Sequence, residues 1–152
     1  MTILCIEVVI LILCIVEYAS VFSLGGSVYM LLEILWRGHT HWSMGICGGI
    51  CFLGIYIFNI IFHNTSTFGK CIFGSIFITV NEFITGCIVN LALGWNVWDY
   101  SNLIFNIMGQ VCLIYSLLWF MLSLPAFYIA SLIRKKVFFP FTEETDNKRL
   151  SL

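Results

Sequence analysis

The chain has 152 residues, 61% of them hydrophobic and 10% charged, with a formal net charge of −1 and a mean hydropathy of +1.01. A soluble domain carries roughly 25% charged residues, so this composition cannot cover a water-facing surface, and a single integral membrane domain is expected. No basic stripe is present, which excludes a nucleic-acid partner.

Eight charged side chains crowd into 134–149, whereas no Asp, Glu, Lys or Arg occurs between Arg37 and Lys70 or between Asp99 and Arg134. Gaps of that length suit a hydrocarbon slab about 30 Å thick, which a helix of about 20 apolar residues crosses. Met1-Thr2-Ile3-Leu4 lacks a basic start and a cleavage site, so no removable signal peptide is expected. The first 36 residues read as two helices joined near 18–23, or as one span over 18–36 preceded by a membrane-associated helix. Two helices are preferred, because one continuous helix would be about 50 Å long at 1.5 Å per residue. Glu7 and Glu17 make the first of them imperfect as a lipid-facing span.

Three further spans follow at 42–62, 71–93 and 106–133, the last long enough to tilt and open to a kink at Pro125. The fold class is all-α, a polytopic transmembrane helix bundle with four core spans and an extra N-terminal helix. The transmembrane domain is placed at 1–136, and 137–152 is read as a cytoplasmic, disordered tail that opens on an interfacial patch at 138–141. Basic residues gather on the cytoplasmic side, so Arg134, Lys135 and Lys136 place the tail of this multi-pass cell-membrane protein inside. Counting back, 94–101 and 37–41 are external and 63–70 is internal; Lys70 agrees with this order and Arg37 does not. Asn64-Thr65-Ser66 matches a glycosylation sequon but falls on the internal side. The seven cysteines sit within apolar runs and read as free thiols packed as small hydrophobes.

Ionisable groups inside a membrane are costly and mark functional candidates. Glu82 lies near the middle of 71–93, with Gly86 and Asn90 at four-residue steps on the same helix face. That stripe reads equally as a proton or cation site and as a hydrogen-bonded tie between helices. Asn106 and Gln110 form another i, i+4 pair, expected to line a pocket with Asn90 below the outer surface. Glu33 and Arg37 are one turn apart and can form an ion pair, or Arg37 can pair with Asp99. Arg37 could also grip an anionic group in a bidentate way. His39 and His41 raise a metal reading with Glu33 or Asp99 as an oxygen ligand, but H-x-H alone does not specify one, and no metal or cofactor is assigned. Gly45, Gly48, Gly49 and Gly54 suit close helix contact. There is no Walker A loop, so the chain is not itself an ATPase, and no G-x-S-x-G, H-E-x-x-H or dinucleotide fingerprint is present.

These motifs carry a resemblance. Tyr29-x-x-x-Glu33-x-x-x-Arg37-Gly38-His39-Thr40-His41-Trp42-Ser43-Met44 and Gly48-Gly49-x-Cys51-Phe52 resemble the first half of a small bacterial membrane family, the ABC-transporter permeases of the CmpB type. The run 82–90, the run 94–101 and Phe105-Asn106-x-x-Gly109-Gln110-x-Cys112 are similar to its second half. The likeness covers about 25–122 and departs where Leu103-Ile104 stands in place of Leu-Pro. It implies transport, with a separate ATPase subunit, further copies of the chain and membrane lipids as partners. The leading expectation is a permease-like transport component passing a small solute or ion by way of Glu82, Asn90, Asn106 and Gln110. Glu33, Arg37, His39, His41 and Asp99 would shape its outer entrance. The alternatives are a membrane-embedded enzyme acting on lipid or envelope precursors through those entrance residues, and an accessory subunit whose polar interior only fixes helix packing.

Overall fold

The structure, a computed structural model, describes residues 2–138. Among the described residues, four helices are long and apolar enough to cross a membrane: α1 (Thr2–Arg37), α2 (Trp42–Ile61), α3 (Thr67–Gly86, extended by a π-helical turn at Cys87–Ala92) and α4 (Leu113–Ile133, extended by a π-helical turn at Arg134–Phe138). A two-stranded antiparallel hairpin, β1 (Asn106–Ile107) and β2 (Val111–Cys112), precedes α4. The tail beyond residue 138 lies outside the described residues.

The helical bundle agrees with the expected fold class, but the N-terminal break does not occur. α1 is one helix of 36 residues, about 54 Å long at 1.5 Å per residue. No proline interrupts it, and breaking a helix in hydrocarbon would strand backbone N–H and C=O groups where water cannot reach them. Glu17, which made a lipid-facing span look imperfect, points into the bundle, where Tyr56 of α2 donates its hydroxyl proton to the carboxylate. Residues 8–13, Ile15 and Val16 remain on the outside, as lipid contact allows.

α1 and α2 cross closely because glycines face each other there. A Cβ on Gly26 would collide with the Gly45 backbone, and one on Gly48 would lie 2.7 Å from Tyr29 Cγ and 3.2 Å from Gly25 O. Small residues of this kind let helix backbones approach in a membrane. α3 and α4 meet through Gly74 against Ser123 and through Ser116, whose carbonyl accepts from Ser75 (2.6 Å) and whose hydroxyl accepts from Thr79 (3.1 Å). The apolar core of Val21, Cys47, Cys51, Ile55, Tyr56, Ile78, Phe127 and Ala130 draws on all four helices.

α2 ends at Ile61, near the expected residue 62. α3 begins earlier than expected, at Thr67, because the Ser66 hydroxyl caps it by accepting from Gly69 N at 3.2 Å. The last helix begins later, at Leu113, instead of at residue 106. Met108 and Gly109 both have positive φ (52° and 70°) and turn the chain through a hairpin in which Asn106 pairs with Cys112. Asn106 is therefore on a strand and does not share a helix face with Gln110. At Pro125, α4 runs on as a helix.

Candidate functional site

Three polar assemblies lie along the bundle. The first is centred on Glu82. Glu82 is 3% exposed, and its carboxylate accepts from Tyr29 Oη of α1 at 2.8 Å and from Trp119 Nε1 of α4 at 2.6 Å. One oxygen goes to each donor, so a single side chain on α3 ties α1 and α4. The Tyr29 and Trp119 rings stack at 5.7 Å and 27°. Among the described residues no basic side chain forms an ion pair with Glu82; the Arg37–Glu33 pair lies elsewhere. A carboxylate held in the bundle by neutral donors can take up or release a proton, or meet a cation, without breaking an internal salt bridge.

The second assembly stands where α1 ends. Arg37 Nη2 donates to Glu33 Oε1, and Thr40 Oγ1 donates to Glu33 Oε2 at 2.5 Å. Arg37 Nη1 reaches across to the carbonyl of Val97 at 3.2 Å. Of the two pairings considered for Arg37, Glu33 is the one formed. Asp99 instead accepts from Ser101 N (2.8 Å) and Ser101 Oγ (2.9 Å), closing its own turn. His39 Nδ1 lies 3.0 Å from Arg37 O. His41 caps α2, with Nδ1 3.4 Å from Ser43 N and 2.8 Å from Ser43 Oγ, and its ring joins those of Trp42 and Trp95. Among the described residues no three His, Cys, Asp or Glu side chains converge as metal ligands.

The third assembly folds the 93–112 segment over the bundle end. The Asn90 amide donates to Trp98 O (3.0 Å) and Gln110 Oε1 (2.8 Å), while its oxygen accepts from Val97 N (2.7 Å). Trp98 Nε1 donates to Gln110 O at 2.8 Å, and Gln110 Nε2 to Met108 O at 2.9 Å. The π-helical turn, closed by Leu93 N to Ile88 O and followed by Trp95 N to Val89 O, places Asn90 at the centre of this clamp. Asn106 sits apart from it, donating to Leu103 O (2.7 Å) and Ser101 O (3.2 Å) and accepting from Gly109 N (3.0 Å) to hold the hairpin. Of the four expected pathway residues, then, Asn90 and Gln110 touch each other, whereas Glu82 and Asn106 each have other partners. Burial pushes the Tyr100 hydroxyl of this segment well above its usual titration range.

Sequence reasoning gave no role to Tyr29 and Trp119 as the partners of Glu82. Trp119 carried a signal, since an indole N–H inside an apolar run needs an acceptor. A further polar network at the opposite end was also missed: Lys70 Nζ donates to Asn59 Oδ1 (2.8 Å), and Asn59 Nδ2 to Ser131 Oγ (2.9 Å).

No curated protein and no solved structure matched the chain. Residues 32–148, which include Glu82, Trp119 and the whole 93–112 segment, match the model of a family described as "Putative ABC-transporter type IV". With most of its length so matched, the chain belongs to that family.

Proposed function

We propose that the chain is the membrane component of a transporter and passes a small solute or ion through the bundle by way of Glu82. In this reading the Asn90–Gln110 clamp and the Asn106 hairpin hold the outer segment in place, and Glu33, Arg37, His39, His41 and Asp99 shape the entrance. Arg134, Lys135 and Lys136 put the tail on the cytoplasmic side. A separate ATPase subunit supplies the energy, and further copies of the chain complete the pathway. The observation that supports the reading is the Glu82 carboxylate, buried in a span and bonded, among the described residues, only by neutral donors.

A second reading rests on the same contacts. Because Tyr29 and Trp119 occupy one oxygen each, Glu82 could serve only to tie α1, α3 and α4 together, as in an accessory subunit.

Glu82→Gln separates the two. Glutamine keeps the shape, accepting from Trp119 and donating to the Tyr29 oxygen, but carries no ionisable group. The solute and ion contents of host cells bearing the wild-type chain, the variant or no chain are compared by mass spectrometry. Transport through Glu82 requires that the variant be present and folded yet give the contents of cells without the chain. Wild-type contents from the variant, where the cells lacking the chain differ, would leave Glu82 as a tie.

A further inference from the structure

α1 packs on α2, and α4 packs on α3. Between them α1 and α4 meet at the Tyr29–Trp119 stack and leave a cleft. Two cavities of about 360 and 380 Å³ run along it, sharing Tyr29, Leu32, Trp119 and Leu122 in their walls. Each is of the size that holds a small ligand, roughly 300–1,000 Å³. Their chemistry differs along the cleft. One is walled by apolar groups such as Val28, Phe52, Ile55 and Ile129. The other ends at Glu33, Arg37, Tyr100 and Tyr115, where the α1 span stops.

That end is rich in uncommitted donors. Arg37 has five N–H groups; one goes to Glu33 and one to Val97 O, and its Nε is buried with no partner among the described residues. The Tyr100 and Tyr115 rings stack at 4.6 Å, yet neither hydroxyl makes a hydrogen bond among the described residues. Each Glu33 oxygen accepts one donor, from Arg37 Nη2 and from Thr40, and among the described residues neither Arg37 Nε nor the two tyrosine hydroxyls reach it. An occupant must therefore bring acceptors to the interface and apolar length to the hydrocarbon. A purely apolar span, its backbone satisfied within itself, would leave these donors unmet. A small free anion would leave the apolar cavity uncovered.

We propose that the α1–α4 cleft is a phospholipid site, with an acyl chain along its apolar length and the phosphate held by Arg37, Tyr100 and Tyr115. The guanidinium fork matches phosphate oxygens. The site does not depend on whether Glu82 carries transport.

The test is native mass spectrometry of the full chain titrated with phosphatidylglycerol, and with diacylglycerol of the same acyl chains. One phosphatidylglycerol should bind at least about tenfold tighter than diacylglycerol, as charge-assisted hydrogen bonds require. Converting both tyrosines (Tyr100→Phe with Tyr115→Phe) removes hydroxyls that hold nothing else in place, and should weaken phosphatidylglycerol by about tenfold without changing diacylglycerol. Leu122→Trp, or Val28→Trp should the first not fold, fills the cleft and should abolish binding of both. Equal binding of the two lipids, or no effect of the paired Phe variant, would overturn the site. Displacement by inorganic phosphate with no effect of the Trp variants would reduce it to an anion site without a groove. A two-chain mass that the Leu122→Trp variant loses, with no lipid bound to the wild type, would assign the cleft to protein.

Discussion

Replacing Glu82 by leucine leaves Tyr29 Oη and Trp119 Nε1 aimed at a methyl group inside the bundle. Each orphaned donor costs about 1–3 kcal/mol, and single interhelical hydrogen bonds in membranes average about 0.6 kcal/mol, reaching about 1.7. Relief from burying the carboxylate acts in the opposite direction. A net loss of about 2 kcal/mol is expected, against less than about 1 kcal/mol for Glu82→Gln, which retains a partner for each neighbour. Unfolding in mixed micelles of increasing sodium dodecyl sulfate, followed by tryptophan fluorescence, reads both values. A double-mutant cycle of Glu82→Leu with Trp119→Phe isolates the bond and should give a coupling of about 0.6–1.7 kcal/mol. A leucine variant as stable as the wild type, together with zero coupling, would refute the tie between α3 and α4.

Other consequences can be checked on the same preparations. Asn90→Ala removes partners from Val97 N, Trp98 O and Gln110 Oε1. It should open the 93–112 segment to limited proteolysis and destabilise the chain by about 2–4 kcal/mol in the same unfolding assay, while Leu91→Ala, at an exposed position, should change neither. Gly48→Ala places a Cβ against Tyr29 and the Gly25 carbonyl and should cost about 1–3 kcal/mol by overpacking α1 on α2. The raised Tyr100 hydroxyl stays protonated in the fold where an unfolded tyrosine ionises, near pH 10. Its contribution should be constant below about pH 10 and fall as pH rises beyond that, and Tyr100→Phe should flatten the alkaline limb of a stability-against-pH curve.

The spans were legible because charge and hydrocarbon do not mix: the two long uncharged stretches and the run around Glu82 mark helices at any plausible register. Glu82 itself was legible as a lone acid in an apolar run. Its partners were not, because contact between Tyr29 and Trp119 depends on how α1 and α4 pack, and periodicity within one helix says nothing of that. α1 was misread at 18–23 because a single helix of about 50 Å was judged too long; Glu17, which counted against a lipid-facing span, is accommodated within the bundle by Tyr56, 39 residues away. At 106–112 the apolar run suggested a span, yet Asn106 and Gly109 already offered turn chemistry. Positive φ at Met108, unusual for a side chain of that kind, could not be anticipated. Asn90 and Gln110 touch, but as parts of a clamp and not through a helix starting at 106, since α4 begins seven residues later, at Leu113.

The proposed transport role assigns the supply of energy to a separate subunit, in keeping with a family described as a putative ABC transporter. The most direct measurement is native mass spectrometry of the full chain, gently extracted from its own host membrane. A complex containing an ATPase in fixed stoichiometry, retained by Glu82→Gln, is the predicted result. A folded chain that leaves the membrane with no ATPase would contradict the transport assignment.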